Sequence, residues 1–387
     1  MKIPFVDLHA QYLSIKDEID KAIADVIAES AYIRGRHVDA FEQAWAKTLG
    51  VKRCVSCANG TDALYIALRG LGLRPGDEVI TSAHSWISTS ETITQAGGRV
   101  VFCDTDEDTF TIDPVDIEAK ITPATVGIIP VHLYGQPADM SAIMAIARKH
   151  NLWVIEDCAQ AHLASYSGKF VGTFGNVATF SFYPGKNLGA YGDAGCLVTN
   201  DNQLADWMAT FARHGGKGDH IMEGINSRMD GLQAAILNAK LPHLPAWTEA
   251  RRHVAACYDR LLHDVGDIIT PKVGAGRDHV YHLYVIRTEN RDSMRKHLSD
   301  AGIATVLNYP KALPFYPAYA HLGHRPGDFP AAYVNQSRIL SLPIYPEIPN
   351  EAIENVVSEI KNAFKLTPVG TTSQGVAEPL LMADATS

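Results

Sequence analysis

The sequence contains no apolar run close to the ~20 residues that a membrane-spanning helix needs. Its first residues, Met1 to Asp7, also lack the apolar core of a signal peptide. Positive charge is scarce, since 34 Lys and Arg residues stand against 43 Asp and Glu residues and give a net charge of −9. That balance disfavours nucleic acid or an anionic membrane as the main partner. We therefore expect a cytoplasmic protein that binds neither.

Cysteine is also scarce, with six residues in 387. Most of them lie in apolar segments, where a free thiol behaves as a small hydrophobic side chain. Cys54 and Cys57 form a C-x-x-C pair, but their spacing in a predicted strand places the two thiols on opposite faces. No second pair completes a zinc site. We expect core thiols in a reducing compartment and no metal site.

Short apolar segments alternate with amphipathic helical patterns through the first two thirds of the chain. Apolar strands separated by helices predict a mostly parallel sheet covered by helices on both faces, which is a three-layer α/β architecture. Ligands of such sheets bind beyond the carboxyl ends of the strands. The seven predicted strands are 54–57, 78–81, 99–103, 126–131, 152–155, 177–182 and 196–199; the predicted helices are 8–30, 38–49, 61–71, 85–96, 113–120 and 140–149.

The pattern changes after about residue 240. One helix is predicted from 229 to about 262, interrupted near Pro242 and Pro245. Strands at 282–286 and 304–307 and helices at 291–301 and 351–365 follow. We expect a large domain over 1–245, a smaller C-terminal α+β domain over 246–367, and a flexible tail over 368–387, where the composition is rich in Gly, Ser, Thr and Ala.

Four features lie near the predicted strand ends of the large domain. Gly60 and Thr61 open a helix whose free amides could bind a phosphate. Trp86 follows the second strand and could stack on a flat ring. Asp157 ends a very apolar strand, where a carboxylate needs a cationic partner or strong hydrogen-bond donors. Lys186 lies in a glycine-rich turn after Ser181, where its amine could bond to an aldehyde.

Each feature also has a purely structural explanation. Asn59 or Thr61 could simply cap a helix, Asp157 could cap the next one, Trp86 could be a core residue, and Lys186 an ordinary surface lysine. The combination is more specific than its parts. Pyridoxal 5'-phosphate needs donors for its phosphate, a plate for its ring, a carboxylate for its ring nitrogen and an amine for its aldehyde.

These segments resemble the DegT/StrS-type nucleotide-sugar aminotransferases, which have the aspartate aminotransferase fold (pyridoxal-phosphate-dependent transferase, fold type I). The resemblance extends from residue 4 to about residue 365. It is carried by residues 59–64, 75–79, 156–162, 181–195, 224–229 and 340–343.

The resemblance implies that Lys186 holds the cofactor covalently and moves protons, while Asp157 keeps the ring nitrogen protonated. Gln160 would bind the ring hydroxyl, and Asn226 would reach the phosphate of the partner subunit in a homodimer. The implied cofactor-binding residues are Gly60, Thr61, Trp86, Asp157, Gln160, Ser181, Lys186 and Asn226.

The substrate residues are expected to be Tyr183, Arg228, Asn308, Tyr309 and Tyr316. Asn308 stands where the family often has histidine, and unlike histidine it cannot act as an acid or base. A second departure is Leu163, at a position where glycine is common in the family.

By the same resemblance, the reaction moves the amino group of L-glutamate to a nucleotide-linked keto-sugar in ping-pong order. Asn59 to Leu64 spell Asn-Gly-Thr-Asp-Ala-Leu, as in members acting at carbon 3, whereas members acting at carbon 4 more often have Ser-Gly-Thr-Ala-Ala-Leu. A 3-keto sugar is therefore favoured over a 4-keto sugar. A related dehydratase and a cofactor-binding regulator remain alternatives, although Lys186 is histidine in the dehydratases, and a regulator should carry a DNA-binding domain or a basic patch.

Overall fold

The computed structural model describes residues 2–216 and 218–366. Within them the strands are β1 (Arg53–Cys57), β2 (Glu78–Ser82), β3 (Arg99–Cys103), β4 (Thr125–Ile129), β5 (Trp153–Asp157), β6 (Ser165–Tyr166), β7 (Lys169–Phe170), β8 (Val177–Ser181), β9 (Gly195–Thr199), β10 (Arg277–Asp278), β11 (Tyr284–Arg287) and β12 (Ile339–Leu342). The α-helices are α1 (Leu8–Ser14), α2 (Lys16–Glu29), α3 (Arg36–Leu49), α4 (Gly60–Gly70), α5 (Ser88–Gln95), α6 (Pro114–Lys120), α7 (Met140–His150), α8 (Asn202–Phe211), α9 (Gly231–Lys240), α10 (Leu244–Leu261), α11 (Arg291–Asp300), α12 (Pro330–Arg338) and α13 (Asn350–Leu366).

The main sheet has seven strands in the order β1-β9-β8-β5-β4-β2-β3. Strand β9 runs antiparallel to both β1 and β8, and the other pairs are parallel. These strands correspond to the seven predicted ones, and the predicted α/β fold class is confirmed. The ends of β1, β5 and β8 and the start of β9 therefore meet at one edge of the sheet.

Helix α3 supports the strand that leads to this edge. Trp45 packs edge-on against Phe180 and Phe182, with ring centroids 5.1 and 5.9 Å apart. Phe41 makes a similar contact with Phe182 at 5.2 Å. Such aromatic pairs contribute about 0.5–1.5 kcal/mol each beyond the area that they bury. The turn after β8 therefore begins from a rigid, fully buried support.

A second core forms beyond α9. It packs α10, α11 and α13 against the antiparallel pair β11–β12 and also takes in Ile3 from the start of the chain. The division into domains at residue 245 stays a prediction, and the predicted tail at 368–387 lies outside the described residues.

Several boundaries differ from the predicted ones. The helix predicted over 8–30 is two helices that meet at Ile15, and the one predicted over 229–262 is α9 and α10, separated by a 3-10 turn at Pro242. The predicted strand at 304–307 is wrong, since only Val306 forms a bridge, to Ser341. Helices α8 and α12 and strand β12 were not predicted; α12 has only a weak apolar period, whereas α8 is amphipathic.

Candidate active site

A cavity of about 470 Å³ opens at the edge where the strands meet. Its walls come from the turns after β1, β2, β5 and β8, so the sheet topology brings together residues far apart in sequence. Nine of the predicted site residues line it: Gly60, Thr61, Trp86, Asp157, Gln160, Ser181, Tyr183, Lys186 and Tyr309.

The N-terminus of α4 forms one wall. The Asn59 side chain accepts a hydrogen bond from the Asp62 amide at 2.8 Å, and the Asn59 carbonyl accepts one from the Ala63 amide at 3.1 Å. The two preceding amides, of Gly60 and Thr61, point out of the helix end toward the cavity. Asn59 thus caps the helix and leaves an end suited to an anion.

Gly60 allows this helix end to approach β8. A Cβ atom at residue 60 would lie 2.7 Å from the Ser181 Cβ, closer than real carbon contacts allow. The Thr61 and Ser88 hydroxyls are 2.8 Å apart and tie α4 to α5. Because of the glycine, the Ser181 hydroxyl and the α4 amides can face the same small volume.

Asp157 lies at the floor of the cavity and is only 4% exposed. One carboxylate oxygen accepts from the Thr89 hydroxyl at 2.8 Å, and the other from the Ala159 amide at 3.1 Å. Burial raises the pKa of Asp157, while these two donors and the positive charge of Lys186 oppose that rise. A carboxylate in this state gains from a further cationic partner.

Lys186 lines the same cavity from the turn between β8 and β9. Its amide donates to the Tyr183 carbonyl at 2.8 Å, which closes the turn. Burial lowers the pKa of its amine from 10.5 to about 8, and the nearby Asp157 charge opposes the decrease. A sizeable fraction of neutral, nucleophilic amine is therefore present near neutral pH.

Aromatic and amide groups complete the walls. Trp86 is 56% exposed, and its ring centroid is 5.6 Å from that of Tyr309. Gln160 accepts from the Tyr134 amide at 2.6 Å and donates to the Tyr309 hydroxyl at 3.0 Å. Trp86 precedes α5 in a turn and does not open a helix, because α5 begins at Ser88.

Four predicted site residues do not line this cavity: Asn226, Arg228, Asn308 and Tyr316. Asn226 is exposed on its own segment, and Arg228 is half-buried. The Asn308 side chain accepts from the Ser341 hydroxyl at 2.9 Å and is thereby directed to β12. Tyr316 packs beside the core of the large sheet.

The model of the DegT/DnrJ/EryC1/StrS aminotransferase family matches residues 13–361 of this chain. The chain belongs to this family. Its predicted family is thus confirmed, and pyridoxal 5'-phosphate is the cofactor of these aminotransferases.

Relatives in this family match nearly the full chain. A "pleiotropic regulatory protein" of Geobacillus stearothermophilus is 47% identical over 94% of this chain and 99% of its own length. A UDP-2-acetamido-2-deoxy-3-oxo-D-glucuronate aminotransferase of Pseudomonas aeruginosa is 43% identical, over 93% of this chain and all of its own. The crystal structure of DesV from S. venezuelae is 40% identical with a TM-score of 0.91, over 93% of this chain and 98% of that one.

The residues present fit the cofactor of the family. The end of α4 offers free amides, and the lack of a Cβ atom at Gly60 lets it lie close to Ser181. Asp157 offers a buried carboxylate that can take a further cationic partner. Lys186 offers an amine of lowered pKa. Trp86 and Tyr309 supply the aromatic walls. The cofactor would enter with its phosphate at Gly60, Thr61 and Ser181.

A buried trio elsewhere in the sheet has the composition of a metal site. Atoms of His132, Glu156 and Cys158 lie within 4.8 Å of one another. The Glu156 carboxylate, however, already accepts from three backbone amides, of Gly172, Phe174 and Gly175, as well as contacting His132. These contacts give it a structural role, and the expectation of no metal stays a prediction.

Sequence reasoning missed the residues that hold the site residues in place. Thr89 binds Asp157, Tyr134 binds Gln160, and the His84 ring nitrogen Nε2 accepts from the Tyr309 amide at 3.1 Å. Burial lowers the pKa of His84 to about 4, so this ring is a neutral acceptor. For Thr89, the Ser/Thr-rich start of α5 could have indicated a polar role, since apolar packing alone does not require so many hydroxyls.

We expect Thr89→Val to lower kcat/KM about tenfold, because Asp157 loses its side-chain donor and a hydrogen bond to a charged group contributes roughly 1.5–3 kcal/mol. Steady-state kinetics with L-glutamate, the expected amino donor, measure this loss. Thr89→Ser keeps the hydroxyl and should retain most activity. Equal activity of the valine variant and the wild type would contradict the assigned contact.

Cofactor uptake should depend on the charge of Lys186. Below its pKa of about 8 the amine is protonated and cannot attack an aldehyde, whereas above it the amine is neutral. We therefore expect the rate at which apoenzyme captures pyridoxal phosphate to rise about tenfold per pH unit below pH 8 and to level off above it. Stopped-flow absorbance from pH 6 to 9.5 measures this profile, and a rate that still rises about tenfold per pH unit up to pH 9.5 would contradict the lowered pKa.

Proposed function

We propose that this protein transfers the amino group of L-glutamate to carbon 3 of a nucleotide-linked 3-keto-deoxysugar, using pyridoxal 5'-phosphate. The observation that carries the proposal is that Lys186 and Asp157, whose charges interact, line one cavity together with the N-terminus of α4. The family membership fits the same reaction class. We further propose a cytoplasmic homodimer with shared active sites.

The chain's own residues account for the steps of such a transfer. The bound cofactor supplies an electron sink that makes the proton on the amine-bearing carbon acidic. The Lys186 Nζ atom, with its pKa near 8, can accept that proton and return it to a neighbouring carbon. Asp157, whose carboxylate is held by Thr89 and Ala159, would bind the ring nitrogen and keep it protonated.

Other residues bind and orient. The α4 amides and Ser181 would fix the phosphate, and Trp86 and Tyr309 would cover the ring and exclude water. Tyr183 is 59% exposed at the mouth of the cavity, where a large nucleotide sugar would enter. The keto carbon must come within near-attack distance of the transferred amine, so these contacts would determine which carbon reacts.

Several relatives support carbon 3. The Pseudomonas relative acts by name on a 3-oxo sugar, and further relatives of about 40% identity are named as aminotransferases of 3-amino or 3-dehydro sugars. A 4-keto substrate is the alternative. A related dehydratase is disfavoured by Lys186, which in those enzymes is histidine.

A cofactor-binding regulator is the second candidate function, because the 47% identical relative bears a regulatory name. The two functions differ in one half-reaction. An aminotransferase mixed with glutamate alone should form one 2-oxoglutarate per active site and convert the cofactor to its amine form, which absorbance and a coupled assay both record. A regulator would bind the cofactor but form no 2-oxoglutarate.

Asn226 supports the proposal of shared sites, since it is exposed and does not line the cavity of its own chain. We expect mixtures of inactive Lys186→Ala and inactive Asn226→Ala subunits to regain up to about a quarter of wild-type activity, because random pairing places one intact site in half of the dimers. Unmixed variants serve as controls. A fully active monomer by light scattering would contradict shared sites.

A further inference from the structure

The hydroxyl of Ser227 joins two parts of the large domain. It donates to the Asp62 carboxylate at 2.6 Å and accepts from the Ala58 amide at 3.0 Å. Ser227 is fully buried. Ala58 and Asp62 lie on either side of the turn that leads from β1 into α4, so one serine fastens the 226–228 segment to the helix end that lines the cavity.

Backbone bonds hold the same segment from its other side. The Ser227 amide donates to the Ala212 carbonyl at 3.0 Å, and Asn226 forms an antiparallel bridge with Arg213. Ser227 thus makes three hydrogen bonds, two through its hydroxyl and one through its amide. Its neighbours Asn226 and Arg228 are more exposed, and neither lines the cavity of its own chain.

The presence of a carboxylate at residue 62 needs an explanation. Asp62 is in the first turn of α4, beside the Gly60 and Thr61 amides that would bind a phosphate. A negative charge there favours the helix N-terminus but repels a bound phosphate. Its carboxylate does not cap the helix, since Asn59 performs that role, and the contact that it makes is with Ser227.

We propose that Asp62 is a positioning residue which, through Ser227, fixes how the neighbouring Arg228 is presented to the nucleotide sugar. This rests on the proposed function and its shared active sites, with Asn226 at the cofactor phosphate of the partner subunit and Arg228 at the sugar. The Asp62–Ser227 pair then joins two parts of one subunit. One is the start of α4, which would bind the cofactor phosphate, and the other is the 226–228 segment, which that subunit would present to its partner. Loss of either member of the pair should affect the sugar more than the amino donor.

The test compares both half-reactions in the holoenzyme. Asp62→Ala and Ser227→Ala should each raise the KM for a keto-sugar about tenfold, as expected for a lost charge-assisted hydrogen bond. The rate of 2-oxoglutarate formation from glutamate should change less than twofold. The double variant should be no worse than Ser227→Ala, because that change already removes the bond to Asp62. Ser227→Thr keeps the hydroxyl and should restore the KM.

A matched control is Asp113→Ala, which removes the cap of α6, a helix beside β3 at the other side of the sheet, and should lower melting temperature without raising the sugar KM. Hydrogen–deuterium exchange over residues 224–229 should be at least tenfold faster in both Asp62→Ala and Ser227→Ala than in the wild type. Unchanged exchange, or equal losses in the two half-reactions, would overturn the inference. A wild type that accepts no keto-sugar overturns the proposed function, and the exchange measurement then decides this inference by itself.

Discussion

Replacing Lys186 by alanine is expected to lower turnover by about 10⁴-fold or more, because the change removes both the nucleophile and the group that moves the proton. The fold should persist, since the Lys186 contact that closes the turn is made by its backbone amide. The variant should still bind the cofactor through the α4 amides, Ser181 and Asp157. Spectroscopic titration and a thermal melt with and without cofactor separate these effects.

A second buried lysine gives this experiment its control. Lys240 donates to the Gly189 carbonyl at 2.8 Å, near the same turn, and burial lowers the pKa of its amine to about 8 as well. Borohydride reduction of the wild-type holoenzyme should trap the cofactor on Lys186, as peptide mass analysis would show. Trapping on Lys240, or normal turnover of Lys186→Ala, would contradict the site assignment.

Asp157→Asn is expected to lower kcat about 10³-fold, comparable to losses seen when a buried orienting carboxylate becomes an amide. Asparagine is isosteric but neutral, so it cannot stabilise a protonated ring nitrogen. The apoenzyme should nevertheless not lose stability. Burial raises the pKa of Asp157, which means that folding disfavours the ionised form at neutral pH, and the amide removes that cost.

This split between activity and stability is measurable by calorimetry of the apo and cofactor-loaded forms. Loading should raise the melting temperature of the wild type more than that of Asp157→Asn. Asp139→Asn makes the same chemical change at the cap of α7 and should leave kcat near that of the wild type. A kcat of Asp157→Asn within tenfold of the wild type would show that the carboxylate does not act on the cofactor.

The positions of the main site residues could be predicted because they depend on sheet topology. Asp157 and Ser181 end neighbouring parallel strands, and Gly60 follows a strand whose end pairs with the start of β9. The carboxyl ends of parallel strands lie at the same edge of a sheet. The polar residue at the end of each apolar run was therefore sufficient to predict which residues meet there. The requirement for glycine at residue 60 also follows from close approach of α4 to β8.

Side-chain direction could not be predicted in this way. Asn308 was expected at the sugar, but its amide binds Ser341 of β12, a strand that the sequence did not indicate. Leu163 is instructive in the opposite sense. It has a φ of +66°, in the left-handed region that favours glycine, which explains why glycine would suit that turn. The sequence showed that Leu163 departs from the family, and the structure gives the physical reason why glycine is common at that position.

The most direct test of the proposed reaction locates the new amine in the product. The enzyme is incubated with ¹⁵N-labelled L-glutamate and either of two matched nucleotide sugars, one with a ketone at carbon 3 and one with a ketone at carbon 4. NMR correlation of the labelled nitrogen to the ring protons then identifies the aminated carbon. We expect amine on carbon 3 and little turnover of the 4-keto sugar, whereas amine on carbon 4 alone would contradict the proposed substrate and leave the Lys186 chemistry in place.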